Sequence, residues 1–159
     1  MVTVSADQPG SPFRSHFTQS NSADPASIAN PAILIDKRVV IVEDEGVTQM
    51  QLRRALGRAG LKVVGAAANG FDGVQMVLAE RPDLVLMDIR MPVMDGMEAL
   101  KTIMAEFSVC IVMLTAFADE ASRRDAREKG ASGYVVKPVT GDMLVPQLAS
   151  AYNDFQRRE

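Results

Sequence analysis

RVVIVEDE at residues 38–45 and LVLMD at residues 84–88 are the two stretches that decide the fold. Each is a short apolar run that ends abruptly in acidic residues. A continuous apolar run of this length, rich in Val, Ile and Leu, is typical of a strand buried on both faces, as in a parallel sheet. The acids therefore fall where a buried strand ends and a loop begins.

The same pattern repeats outward from these runs as far as the C-terminus. Further strands are predicted over 61–67, 109–114 and 132–136, and helices over 45–59, 71–80, 95–107, 119–129 and about 140–157. Strands that alternate with helices predict an α/β fold with helices on both faces of the sheet. We expect a five-stranded parallel sheet of the flavodoxin-like type, with strand order 2-1-3-4-5.

Two details of the predicted helices can be checked against a structure. One apolar stripe of the first helix is predicted to comprise Val47, Met50, Ala55, Leu56 and Ala59. In the last helix we expect Leu144, Leu148, Ala151 and Phe155 to face inward. Pro146 removes one helical donor there, so this helix is expected to start late or to kink.

The first 35 residues differ from the rest of the chain, because they are rich in Ser, Pro, Asn, Gln and Ala. Such a segment buries too little apolar surface to offset the entropy lost on ordering. We predict a mostly disordered N-terminal extension over residues 1–35, with His16 as a solvated tail residue, and a single domain over residues 36–159. Residues 32–35, which are apolar, are expected to pack locally against that domain.

Bulk properties exclude several classes of protein. The 159 residues carry a formal net charge of −3, which does not favour non-specific binding of nucleic acid. The apolar runs are too short to span a bilayer, and no secretory signal is evident, so a soluble cytoplasmic protein is predicted. Cys110, the one cysteine, lies in an apolar run and is expected to be a buried, inert thiol.

Polar residues follow the predicted strands at their carboxyl ends, where open parallel sheets form their sites. Glu43 and Asp44 follow the first strand, Asp88 the third, Thr115 the fourth and Lys137 the fifth. Any one of them could be an ordinary solvated loop residue. That all of them end apolar runs predicts a shared site at one rim of the sheet.

The residue types at this rim indicate phosphoryl chemistry. Three carboxylates close together repel one another unless a cation lies among them, and hard oxygen ligands suit Mg²⁺. Lys137 and Thr115 could then bind a phosphoryl group, by charge and by a hydroxyl donor. Asp88, which ends a buried strand, is the best candidate for the carboxylate nucleophile.

Four blocks of sequence, in this order, resemble the receiver domains of two-component response regulators. They are residues 39–45, residues 86–96, Leu114-Thr115-Ala116 and residues 134–138. The resemblance covers about residues 37–157. One block would be a weak signal, whereas four in register are specific.

The resemblance implies a role for each residue of the site. Asp88 would accept a phosphoryl group, and Glu43, Asp44 and the backbone carbonyl of Arg90 would help it to hold Mg²⁺. Thr115 would move to the phosphoryl group, Lys137 would bridge to it, and Tyr134 would turn inward as the aromatic switch. Pro138 would follow a cis peptide bond. Arg90 and Phe117 would occupy variable loop positions that influence the phosphoryl lifetime.

The resemblance also implies partners and a signalling role. A sensor histidine kinase or a phosphotransfer protein would supply the phosphoryl group. A downstream protein would respond to the change on the face formed by the fourth helix, fifth strand and fifth helix, and a homodimer could form on phosphorylation. No direct contact with nucleic acid or membrane is expected.

Three alternatives stay open at this point. The chain could be a receiver from a larger regulator, because its last helix is similar to those that precede RNA-binding antitermination domains of the ANTAR type. An Mg²⁺-dependent phosphatase would need a second acid two residues after its nucleophile, where this chain has Arg90. A flavin carrier would need a phosphate-binding loop after the first strand, where Glu43 and Asp44 would repel phosphate. The chain is therefore predicted to be a phosphoacceptor and no enzyme beyond self-catalysed phosphotransfer and autodephosphorylation.

Overall fold

One parallel sheet with helices on both faces makes up the computed structural model, which describes residues 29–159. The strands are β1 (Arg38–Val42), β2 (Lys62–Ala67), β3 (Leu84–Asp88), β4 (Cys110–Thr115) and β5 (Gly133–Val136). The helices are α1 (Gly46–Arg58), α2 (Gly70–Glu80), α3 (Gly96–Glu106), α4 (Glu120–Glu128) and α5 (Gly141–Arg158). The five strands lie in the order β2-β1-β3-β4-β5, which confirms the predicted flavodoxin-like fold.

The central strands β1, β3 and β4 are buried on both faces, which explains their unbroken apolar sequences. Alternate side chains point to opposite faces, so each strand contributes to two cores. One core lies beneath α1 and α5 and includes Ile41, Leu86, Val112, Leu56 and Leu148. The other lies beneath α2, α3 and α4 and includes Val40, Val85, Met113, Val77 and Ile103.

Helix α1 buries a different face from the one predicted. Leu52 and Leu56 face the core, whereas Val47 and Met50 are 69% and 52% exposed, so the predicted stripe is wrong at its N-terminal end. Val47 and Leu56 are nine residues apart, which is two and a half turns of an α-helix, and therefore lie on opposite sides. The face of α1 that packs against the sheet is therefore the one that carries Leu52 and Leu56, which are four residues apart.

Helix α5 does not start late, although Pro146 lies inside it. It begins at Gly141 and continues through Pro146 to Arg158. Leu144 and Leu148, on either side of the proline, are fully buried, and this packing offsets the loss of one backbone donor. None of the helices within residues 29–159 combines the length and the apolar character needed to cross a membrane.

Cys110 is fully buried in β4, as predicted from its apolar neighbours. Burial raises the pKa of its thiol to about 12, because the thiolate would lose its hydration. The inertness predicted for this thiol agrees with the raised pKa, since the thiolate is the reactive form.

A short 3-10 helix, Pro31–Leu34, precedes the sheet and packs against α5. Leu34 is fully buried in the core beneath α1 and α5, and Ile33 packs against it, so residues 32–35 do contact the domain. The disorder predicted for the N-terminal extension stays a prediction for residues 1–28, which lie outside the described part, as does His16.

Gly96 brings the loop after β3 against the end of that strand. Its N–H donates to the carbonyl of Ile89 at 2.7 Å. A Cβ at position 96 would lie 2.1 Å from the carbonyl oxygen of Asp88, which is backbone and cannot rotate away. The loop can therefore close in this form only when residue 96 has no side chain.

Gly96→Ala is expected to lower the free energy of unfolding by about 1–3 kcal/mol, as overpacking against backbone does. The matched control is Gly57→Ala, in α1, where a Cβ meets nothing within 4 Å. That change should raise the free energy of unfolding by up to about 1 kcal/mol, through helix propensity. Urea unfolding followed by circular dichroism measures both. Equal effects of the two substitutions would contradict the close approach at Gly96.

Candidate functional site

Parallel pairing brings the predicted residues to one rim of the sheet. Val42 pairs with Met87, and Asp88 pairs with Leu114, so Glu43, Asp88 and Thr115 follow one another at the ends of neighbouring strands. Within residues 29–159, three polar or charged residues are buried: Glu43, Asp88 and Thr115. Their burial at strand ends means that the site stands on a rigid base.

Lys137 joins the ends of three strands. Its Nζ lies 2.9 Å from Oε1 of Glu43 and 3.2 Å from Oδ2 of Asp88. Its backbone N–H donates to the carbonyl of Thr115 at 2.7 Å, which holds β5 beside β4. The Lys137–Pro138 peptide bond is cis, as the resemblance implied. Lys137, from the end of the fifth strand, thus contacts Glu43 and Asp88, from the ends of the first and third strands.

Glu43, Asp44 and Asp88 form an acidic cluster in which one carboxylate oxygen of each lies within 4.8 Å of the others. Oε2 of Glu43 accepts the N–H of Glu45 at 3.1 Å. Oε1 is fully buried, and the Lys137 ammonium lies 2.9 Å from it as an ion pair. Three carboxylates that share one lysine offer hard oxygen ligands and excess negative charge, which fits a divalent cation such as Mg²⁺.

The pKa values of Glu43 and Lys137 reflect the shared burial. Burial raises the pKa of Glu43, the Asp88 charge adds to this, and Lys137 and the Glu45 N–H oppose it. Burial alone would lower the pKa of Lys137, but the two carboxylates outweigh that effect and raise it. The lysine therefore stays a cation, while the cluster around it carries excess negative charge.

Thr115 and Tyr134 are linked through the loop between β4 and α4. Oγ1 of Thr115 accepts the N–H of Phe117 at 3.1 Å. The hydroxyl of Tyr134 donates to the carbonyl of Phe117 at 3.3 Å. The guanidinium of Arg123 lies 4.8 Å from the centre of the Tyr134 ring. The two predicted switch residues thus share Phe117 as a backbone partner.

Arg90 and Phe117 join the loops after β3 and β4. The Arg90 guanidinium lies 4.4 Å from the centre of the Phe117 ring, in cation–π geometry. The Arg90 N–H points to Oδ1 of Asp88 at a long 3.4 Å. Sequence reasoning did not predict that Phe117 contacts Thr115, Tyr134 and Arg90 together. The one signal available was that Arg90 and Phe117 each stand two residues after a predicted site residue.

Comparison with known proteins gives one family and many relatives. The family model of the response regulator receiver domain matches residues 39–149. The transcriptional regulatory protein PdtaR of Mycobacterium tuberculosis is 37% identical over 122 residues, which is 77% of this chain and 60% of PdtaR. The chemotaxis protein CheY of Thermotoga maritima is 36% identical over 113 residues, which is 70% of this chain and 94% of CheY. This chain therefore spans about 60% of the length of PdtaR.

Solved structures of receiver domains are also similar to this chain. The CheX–CheY–BeF₃–Mg complex from Borrelia burgdorferi matches with a TM-score of 0.72 and 29% identity, over 79% of this chain and 96% of that one. A CheY-like response regulator receiver domain protein from Methanospirillum hungatei matches with a TM-score of 0.70 and 25% identity, over 78% and 99%.

Lys137→Met, measured without divalent cations, is expected to lower the free energy of unfolding by about 3 kcal/mol. This loss is at the low end of the range expected when one partner of a buried ion pair is removed. The reason is that Glu43 can take up a proton and that the lysine is partly hydrated. The control is Lys129→Met, which breaks the half-buried pair with Asp125 at the surface and should cost less than about 1 kcal/mol. Urea unfolding in EDTA compares them. A loss for Lys137→Met no larger than that of the control would contradict the buried ion pair.

Proposed function

This chain belongs to the response regulator receiver domain family, and on that basis we propose that it accepts a phosphoryl group on Asp88 and switches protein–protein interactions in response. The observation that carries the proposal is the contact of Lys137 with both Glu43 and Asp88 at the rim of the sheet. These residues come from the ends of three different strands. Such convergence is what phosphoryl transfer requires, since its catalysis consists mainly of positioning and charge compensation.

The proposed reaction is transfer from a phosphohistidine. A carboxylate oxygen of Asp88 attacks the phosphorus, and a P–O bond forms as the P–N bond breaks. The electron pair of that bond stays on the histidine nitrogen. Hydrolysis of the resulting acyl phosphate, with water as co-reactant, returns the carboxylate and releases inorganic phosphate. Asp88 suits this role because it ends the fully buried strand β3.

Mg²⁺ would be held by Glu43, Asp44 and Asp88 and by the backbone carbonyl of Arg90. The excess of three clustered carboxylates over one lysine supports this assignment. When bound, the ion compensates the charge of the carboxylates and of the phosphoryl oxygens. Lys137 is close enough to Asp88 to contact a phosphoryl group on it, and Thr115 would supply a hydroxyl donor.

The output of the proposed switch is a population shift. Movement of Thr115 toward the phosphoryl group would let Tyr134 turn inward and change the face formed by α4, β5 and α5. α4 is the helix suited to move, because Ala126 is its one buried residue. Ala121, in the same helix, is exposed.

The proposed partners are proteins. A sensor histidine kinase or phosphotransfer protein would supply the phosphoryl group in the cytoplasm, and a downstream protein would bind according to phosphorylation. A homodimer could form in the same way. No direct binding of nucleic acid or membrane is proposed, and no enzymatic activity beyond self-catalysed phosphotransfer and autodephosphorylation.

A second candidate is the receiver part of a larger transcription or antitermination regulator. The similarity to PdtaR, a transcriptional regulatory protein that is longer than the matched part of this chain, favours it. The full reading frame of the gene distinguishes the two candidates. Under the second, the chemistry at Asp88 is the same and only the recipient of the signal changes.

Incubation with Mg²⁺ and a small phosphodonor such as acetyl phosphate should add one phosphoryl group, which intact-mass measurement detects. Asp88→Asn should abolish the addition, because the amide is not a nucleophile of this kind. The control is Asp154→Asn, an exposed residue of α5 that should label as the wild type does. Equal labelling of the Asp88→Asn variant and the wild type would refute Asp88 as the acceptor.

Removal of a metal ligand should weaken Mg²⁺ binding in calorimetric titration. Glu43→Gln and Asp44→Asn are each expected to reduce the affinity for Mg²⁺ by about tenfold or more. Mutation of a residue that only hydrogen-bonds to a metal ligand already lowers metal affinity by roughly 10–100-fold. Glu45→Gln is the matched control, a neighbouring exposed carboxylate outside the cluster. EDTA should also prevent phosphorylation of the wild type. Labelling that persists in EDTA, or equal losses in all three variants, would count against this metal site.

A further inference from the structure

A groove of about 740 Å³ lies between α1 and the start of α5 and reaches the acidic rim. One wall is a single face of α1, because the lining residues within 48–58 follow the i, i+3, i+4 spacing of a helix. Leu52 and Leu144 form a buried apolar base, and Lys137 lines the end nearest the site. The groove thus joins an apolar surface to the candidate functional site.

A second groove, of about 550 Å³, adjoins the first and is lined by Pro31. The two grooves share four lining residues: Ala55, Arg58, Thr140 and Gly141. Pro31 begins the 3-10 helix that packs against α5. Residues 1–28 therefore join the domain beside this continuous surface.

The length of chain before Pro31 is sufficient to cover the whole surface. Residues 48–58 of α1 span about 15 Å, at about 1.5 Å per residue. Phe17 lies 14 residues before Pro31, and a fully extended chain of that length reaches about 46–50 Å. Without contacts, such a chain has an r.m.s. end-to-end distance of about 20 Å, close to the span of the groove.

Two phenylalanines distinguish the segment of residues 1–28. Phe13 and Phe17 are its large aromatic side chains, whereas most of the other residues are small or polar. A phenyl ring offers about 150–250 Å² of apolar surface, which makes it a good anchor for a groove with an apolar base. The composition therefore provides two anchors at a distance from Pro31 that the groove can accommodate.

The charges beside the groove are complementary to the same segment. Arg54 and Arg58 line the groove and form no ion pair within residues 29–159. Asp24 lies seven residues before Pro31, so it can reach Arg58 while the phenylalanines lie farther along α1.

We propose that the segment containing Phe13 and Phe17 docks on its own domain, in the groove between α1 and the start of α5. The two rings would cover the apolar base, and Asp24 would lie beside Arg58. A segment linked in this way has an effective concentration in the millimolar range, so an intrinsic dissociation constant of about 1 mM leaves about half of the molecules docked. Two anchors of modest affinity are therefore sufficient.

The docked segment would cover one side of the acidic rim, where Lys137 and Ala116 line the groove. It would then compete with any protein that approaches Asp88 from that side. This consequence rests on the proposed function, whereas the docking itself does not.

Paramagnetic NMR of the full chain tests the docking. Cys110 is buried and its thiol pKa is raised to about 12, so a nitroxide reagent labels a cysteine introduced by Ser15→Cys selectively. The amide signals of Ala55 and Gly141 should lose most of their intensity, compared with the same sample after reduction of the nitroxide. Signals of α4, which packs on the opposite face of the sheet, should keep theirs.

Removal of the anchors should release the segment without touching the folded domain. Loss of an aromatic anchor weakens such a contact by about tenfold or more, so Phe13→Ser with Phe17→Ser should reduce the docked fraction from about half to below about a tenth. The groove signals should recover accordingly. The matched control, Gln8→Ser with Gln19→Ser, makes as many changes in the same segment and should leave the loss of intensity in place.

A change in the groove should have the same effect from the other side. Ala55→Lys places a long charged side chain between α1 and the start of α5, and the groove signals should recover as in the anchor variant. Gly57→Lys is the matched control, because Gly57 lies in α1 outside the lining and a Cβ there meets nothing within 4 Å. The anchor variant decides the question if Ala55→Lys fails to fold.

Each outcome supports or overturns the docking. Equal loss of intensity in the anchor variant and its control would overturn it, as would unchanged intensity in the labelled chain with both phenylalanines. A nitroxide-labelled chain mixed with a ¹⁵N chain that lacks the label should leave the ¹⁵N signals unchanged. Loss there would mean that a second copy fills the groove, and would overturn docking within one chain. Failure of acetyl phosphate to label Asp88 would overturn the proposed function and not the docking.

Discussion

The ammonium of Lys137, 2.9 Å from Glu43 and 3.2 Å from Asp88, ties together the ends of three strands that are distant in sequence. Two buried carboxylates so close to each other would repel and would lose hydration without compensation unless a cation lay between them. Lys137 supplies that cation, but Asp44 adds a third carboxylate, so the cluster keeps a negative charge. The lysine therefore offsets part of the cost of burying these carboxylates, and the negative charge that remains is what a divalent cation would compensate.

The sequence was sufficient to predict the strand order and the composition of the rim, because buried parallel strands have unbroken apolar runs and polar residues at their ends. It was not sufficient for α1, whose apolar residues lie on more than one side of the helix. Val47, Met50 and Leu56 are all apolar, and only the packing of Leu52 and Leu56 against the sheet decides between the faces. Pro146 did not delay the start of α5, because the packing of Leu144 and Leu148 outweighed the local preference.

The contacts of Phe117 illustrate a different limit of prediction from sequence. Every residue except proline carries a backbone N–H and carbonyl, so no sequence pattern identifies the residue whose backbone connects two side chains. The stacking of Arg90 on Phe117 joins two loops that follow different strands. The two loops come together only in the folded chain, so their contact has no signal in the sequence. The residues of the acidic rim could thus be predicted from residue types, whereas the contacts between the loops that follow β3 and β4 could not.

The burial of Leu34 and Tyr152 means that the hydrophobic core extends beyond the residues that the family model matches. Both side chains lie in the core beneath α1 and α5, yet both fall outside residues 39–149, where the family resemblance is recognised. A chain trimmed to residues 39–149 would retain every residue of the acidic rim. It would nevertheless lack two buried side chains of the core that packs against β1 and β3. Limits for expression or domain fusion are therefore better placed by the last buried side chain than by the last aligned one.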